Sequence, residues 1–198
     1  MEIPIFPLST VLFPGGRLPL RIFEPRYVEM TKACIRDNGV FGVCLIVGGF
    51  EVGVPAIPAA VGCTARILDW DVPNPGLFTL NTQGETAFRL LARRTQPDGL
   101  IVGTVELIEP PDPTGVPERY EALQRLLADL VHEIGADNFT QPPRFDDAAW
   151  VACRLAELLP VAPERKQRLL EANAPLAMLA EVESLLRDLR EDGKGGEA

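Results

Sequence analysis

Apolar and polar residues alternate with a period of two through the first half of the chain and with a helical period through the second. In residues 17–23, Leu18, Leu20 and Ile22 fall on one face of a strand, and Arg17 and Arg21 on the other. Residues 2–8 alternate around prolines, which predicts an edge strand, because proline has no N–H to give to a sheet ladder. Between these two strands, Phe-Pro-Gly-Gly at 13–16 predicts a tight turn. Pro25 then suits the first turn of a short helix, where a missing N–H costs nothing. Tyr27, Met30 and Cys34 share its buried face, and Asn38-Gly39 ends it.

Further strands are predicted at 40–47, 61–72, 77–91 and 100–109, with turns at 73–76 and 96–99. Six or more short strands around one helix imply a partly closed barrel or two packed sheets. The pattern changes at the proline-rich segment 110–117. After it, Tyr120, Leu123, Leu127, Leu130 and Ile134 form one helical stripe, ended by Pro142-Pro143. Three more helices are predicted at 146–159, 163–172 and 175–189. The expected organisation is a β-barrel domain at 1–112, a helical bundle at 113–192 and a mobile tail at 193–198.

Composition narrows the function classes. Hydrophobic residues make up 46% of the chain, enough for a real core. The net charge is −9, and residues 1–112 hold 9 basic against 12 acidic residues. Nucleic-acid binding depends on Lys and Arg neutralising phosphates, so the acidic balance argues against it. No run of about 18 apolar residues occurs, so no membrane-spanning helix is expected. The N-terminus lacks the basic and apolar blocks of a signal peptide, which points to the cytoplasm. Cys34, Cys44, Cys63 and Cys153 are widely spaced and His132 is the only histidine, so neither a metal site nor a cofactor is expected.

Catalytic groups are equally sparse. Ser9 and Ser184 lie outside any nucleophile elbow, and no context pairs them with Lys32, Lys166 or Lys194. His132 sits beside Glu133 in a predicted helix, where a solvated or packed histidine is the plainer reading. Asp69 and Asp71 share a strand face and read as surface charges. The glycines at 48–53 match neither phosphate-loop pattern. One segment stands out. Residues 48–62 read as a nearly uncharged loop carrying Phe50, Val52, Val54 and Ile57, and apolar loops of this kind mark interaction surfaces. The plainer alternative makes 51–54 one more strand. Arg17 and Arg21, with Arg66, offer a cationic strand face for acidic peptide groups, or simply a solvated one.

The opening stretch IPIFPLSTVLFPGGRLPLRIFEPRY, at 3–27, resembles the start of the N-terminal domain of the Lon protease family, in the form found in stand-alone bacterial relatives. Two later blocks agree. VGCTARILDW at 61–70 is similar to a strand of that domain, with Cys63 as a departure. LAELLPVAPERKQRLLEANAPLAMLAEVESLL at 155–186 resembles its helical part. The resemblance implies an α+β chain: a PUA-like β pseudo-barrel with one short helix, followed by a C-terminal α-helical bundle. It also implies binding of protein substrates. The ATPase and Ser–Lys peptidase roles of full-length Lon do not carry over, because the chain shows neither a Walker lysine nor a peptidase dyad in context. The expected function is therefore a non-enzymatic module for exposed apolar or unfolded polypeptide, with polypeptide substrates or a protease as partners. Candidate contact residues are Phe50, Val52, Val54, Ile57, Arg17 and Arg21. Alternatives from other classes are an RNA-binding PUA-like module, or a hydrolase with an unrecognised site.

Overall fold

The computed structural model describes residues 1–49 and 56–195. The chain divides into two compact units, Met1–Glu109 and Pro110–Ala198. The first is built from strands β1 (Glu2–Leu8), β2 (Arg17–Ile22), β3 (Val40–Gly48), β4 (Ile57–Asn74), β5 (Leu77–Thr95) and β6 (Ile101–Leu107), with helix α1 (Pro25–Asp37). The second holds α2 (Glu121–Ile134), α3 (Ala148–Leu158), α4 (Pro163–Ala172) and α5 (Pro175–Gly195). The fold is α+β, a β pseudo-barrel followed by a helical region, as the periods and the resemblance imply.

The six strands form one sheet in the order β2-β5-β4-β3-β1-β6, and β5 also pairs with β6, which closes the barrel. Among the described strands only β1 and β3 run parallel; the 13-residue helix α1 lies in the connection that leads from β2 back to β3. Pro25 sits in the first turn of α1, and Asn38 ends it in the left-handed conformation, φ 48°. Tyr27, Met30 and Cys34 are buried beneath it as their spacing predicts. Arg26 is buried too, which periodicity does not foresee. Its guanidinium donates to the Gly99 carbonyl at 3.2 Å, meets Glu24 at 2.8 Å and stacks on Tyr27 at 4.7 Å. It thereby ties the helix to the β5–β6 turn.

Two strands are longer than their alternation suggests. β4 begins at Ile57 and β5 runs to Thr95. Pro73 and Asn74 belong to β4, and the hairpin turns on Pro75 and Gly76 alone, with Gly76 at φ 80°. The supposed loop at 48–62 is therefore strand from Ile57 onward, with Ile57 opposite Gly48. Pro58 is tolerated there because the β3–β4 ladder is irregular on both sides of the Ile46–Pro58 pair. In the helical unit, Leu127, Val151, Leu155, Leu179 and Val182 are fully buried, whereas Ile134, the last residue of the α2 stripe, is exposed. The α2 helix stops there at Gly135, φ 96°.

Candidate functional site

Strands β2, β5 and β4 form a three-stranded ribbon whose two faces differ in chemistry. The register aligns Leu20, Leu80 and Trp70 across the ribbon, with Ile22 opposite Phe78. Leu18, Leu20, Ile22, Phe78 and Leu80 of this face pack into the core around Tyr27 and Phe41. Trp70 lies at the margin, 48% exposed, with its ring 6.1 Å from that of Phe78. Leu68 sits at a bulge between Ile67 and Asp69, and Val72 in a second irregular stretch between Asp71 and Asn74; both are exposed.

The opposite face is polar. Asp71, Thr79 and Arg21 align in one row, and Asp69, Asn81 and Pro19 in the next. Arg17 aligns with Gln83 and Arg66. The structure thus brings Arg17, Arg21, Asp69 and Asp71 onto one surface. Arg66 is committed elsewhere: its guanidinium bonds Glu85 and donates to the Asn38 carbonyl at 2.7 Å. A purely cationic face for acidic peptides is therefore not what the strands assemble.

Of the apolar candidates, Phe50, Val52 and Val54 lie outside the described residues. Ile57 is half exposed at the start of β4, and Val47 on the neighbouring strand is also exposed. Trp70 was missed by sequence reasoning. Its exposure follows from its place on a ribbon margin, which alternation along one strand does not encode; two flanking aspartates were the only hint.

The remaining chemistry is weak among the described residues. No group of acids, cysteines and histidine is placed to hold a metal ion. None of the four cysteines forms a disulfide, and all are buried. Burial, aided by Asp37, pushes the Cys34 thiol up to about 11, and burial alone takes Cys44 to about 12. Burial also raises Cys153 to about 12. These three thiols are protonated at neutral pH and make poor nucleophiles. Native protein at pH 7.5 is accordingly expected to react with a thiol reagent such as DTNB orders of magnitude more slowly than urea-unfolded protein. Fast stoichiometric labelling of the native state would show an activated thiol.

His132 is exposed on α2. Lys32 is held by Glu29 at 2.7 Å, and Lys166 donates to the Glu157 carbonyl at 2.9 Å. Burial pushes the Glu157 carboxyl up to about 7, against the pull of Arg154 and Lys166. Arg154, buried on the same helix, donates to it at 2.8 Å. This cluster joins α3 to α4 through a backbone carbonyl. An open groove of about 480 Å³ lies beside α1, with Met30, Leu100 and Val102 in its lining and Glu29, Asp37 and Asp98 among its polar residues.

A family model described as the ATP-dependent protease La (LON) substrate-binding domain matches residues 2–188. The chain belongs to this family. The Lon protease of Parabacteroides distasonis is 30% identical over 145 residues, 72% of this chain and 17% of that protein. Protein cereblon of Xenopus tropicalis is 30% identical over 111 residues, 54% of this chain and 24% of that protein. The chain therefore spans a quarter or less of the length of these curated relatives. Among solved structures, a Lon N-terminal domain protein from Xanthomonas campestris is 35% identical, with a TM-score of 0.78 over 93% of this chain and 98% of that one. As a Lon substrate-binding domain, the chain is a substrate-binding module. No helix among its described residues is long and apolar enough to cross a membrane.

Proposed function

We propose that this Lon substrate-binding domain captures exposed apolar segments of unfolded polypeptides and presents them to a protease, without catalysing a reaction itself. One observation carries the reading: Trp70, Leu68 and Val72 stand exposed together at the end of the β4–β5 hairpin of a family defined by substrate binding. Ile57 and Val47 form a separate exposed apolar pair at the opposite end of β4. Four thiols without a disulfide suit a reducing compartment, and we place the protein in the cytoplasm.

The test is fluorescence anisotropy with one labelled client in two forms, native and reduced-carboxymethylated. Wild type is expected to bind the unfolded form at least tenfold more tightly. Trp70→Ala and Ile57→Asp are each expected to weaken that binding, and Phe50→Asp/Val54→Asp tests the adjoining segment. Equal affinity for both forms, or none for either, rejects the reading. The presentation step is checked separately: adding the domain should speed degradation of the same client by a Lon protease, and an unchanged rate removes the adaptor role.

A further inference from the structure

We propose that the open half of β4 takes up its polypeptide as an added β-strand, and that the preferred guest alternates apolar residues with lysine or arginine. This rests on the polypeptide-binding reading above and names both its geometry and its substrate class.

The β3–β4 ladder ends at the Val40–Arg66 pair. Beyond it, residues 67–74 of β4 have β5 as their only ladder partner among the described residues. An open margin offers backbone N–H and C=O groups to water and is a template for another strand. The Val72 amide is exposed and donates to its neighbour's carboxylate, Asp71 Oδ1, at 2.8 Å. Amide directions alternate along a strand, so alternate amides of the stretch beyond Arg66 face the open margin.

The other margin of the ribbon is β2, and it is guarded. Pro19 stands in its middle and removes a donor, with Arg17 and Arg21 on either side. The open half of β4 has no proline before Pro73, and it displays Trp70 and Val72. Backbone and side chains on this margin are both available to a guest.

The side chains state which guest fits. Trp70, opposite Leu80, projects from one face, and Asp69 and Asp71, opposite Asn81 and Thr79, from the other; exposed Val72 follows in the irregular stretch before Asn74. Both aspartates are exposed, and neither is in an ion pair among the described residues. A strand laid along this margin places one residue against Trp70 and the residues on either side of it beside the two carboxylates. An apolar side chain suits the first position and cations the other two. A guest carbonyl takes the Val72 amide while a guest ammonium or guanidinium takes Asp71, so the present contact is exchanged rather than lost. Acidic strands meet like charge and are rejected.

The experiment uses the full chain, a synthetic nonapeptide alternating valine and lysine, and copies N-methylated at every second residue in each of the two phases. A valine–glutamate peptide completes the set. Titrations are followed by amide hydrogen exchange at residues 67–74. The valine–lysine peptide is expected to slow exchange at Trp70 and Val72. One methylation phase should weaken binding at least tenfold, because it deletes the donors facing β4 and keeps every side chain. The glutamate peptide should bind at least tenfold more weakly, and Trp70→Lys should abolish the protection. Equal binding by both methylated phases and the parent, or protection elsewhere, overturns the proposal. So does a dimer of this chain joined through 67–74 that the peptide does not dissociate. If Trp70→Lys does not fold, the methylation comparison on wild type still decides. The carboxymethylated client separates the two readings. If it binds wild type and Trp70→Lys alike, polypeptide capture stands and the strand-addition site falls. If it does not bind wild type, both fall.

Discussion

Phe88→Ala is expected to lower the stability of the β unit by about 3–5 kcal/mol, the usual range for truncating a fully buried Phe. Phe88 is 0% exposed on β5, the strand that pairs with both β4 and β6 to close the barrel. Its ring rests over two glycines. A Cβ at Gly42 on β3, or at Gly62 on β4, would lie 2.7 Å from Phe88 Cζ. The ring therefore fills space that two neighbouring strands leave vacant. After truncation, neither glycine has a side chain that could move into the void, so the site collapses poorly and the loss should fall high in the range. Urea unfolding followed by fluorescence of Trp70, in the same unit, measures it. Phe23→Ala is the control, since Phe23 is 60% exposed and its loss should fall within roughly 0.5 kcal/mol. A deficit below about 1 kcal/mol for Phe88→Ala would mean that the barrel closes over the gap.

Gly84→Ala is expected to destabilise by about 2–3 kcal/mol, through overpacking against backbone. A Cβ at Gly84 would stand 2.2 Å from the Phe13 carbonyl oxygen. The Phe-Pro-Gly-Gly turn docks directly on this residue. Gly15 N–H donates to the Gly84 carbonyl at 2.7 Å, and Gly84 N–H to the Gly16 carbonyl at 2.9 Å. Gly16 N–H closes the turn onto Phe13 O at 2.9 Å, with Gly15 at φ 75°. A methyl group must push the turn away, and both bonds and the buried Phe13 side chain move with it. Gly39→Ala is the comparison. There the nearest atom would be 3.8 Å from the new Cβ and φ is not in the left-handed region, so the change should be nearly neutral. The same urea series reads both. Equal midpoints for Gly84→Ala and Gly39→Ala would show that the turn yields freely.

Most individual elements were legible along the chain. The spacing of Tyr27, Met30 and Cys34 marks the buried face of α1, and Asn38 marks its end. Leu18, Leu20 and Ile22 against Arg17 and Arg21 fix the faces of β2. The predicted stripe of α2 holds at Tyr120, Leu123 and Leu127, but its last turn buries Val131 in place of Ile134, which is exposed. The candidate site was legible only in part. Ile57 is exposed, but on a strand rather than in a loop, because an irregular ladder tolerates Pro58 where sequence reasoning expects a strand to be broken. Asp69 and Asp71 share a face as period two requires, yet nothing local reveals that Arg17 and Arg21 lie on that same face two strands away.

The sequence by itself determined the elements, their buried faces, the change from strand to helix after the 110–117 segment, and the acidic charge that disfavours nucleic acid. These are local properties: side-chain direction repeats every two or 3.6 residues, and proline and glycine act on their own backbone. The tertiary structure alone decided that β1 pairs with β3 and β6, that β5 closes the barrel on β6, and that β4 outruns β3 beyond Arg66. It also decided that Phe88 meets Gly42 and Gly62, and that Gly84 meets the turn. Pairing and register between distant strands depend on the joint fit of every layer. An alternating pattern tells a strand which face to bury, but it does not name the strand beside it or where that neighbour stops.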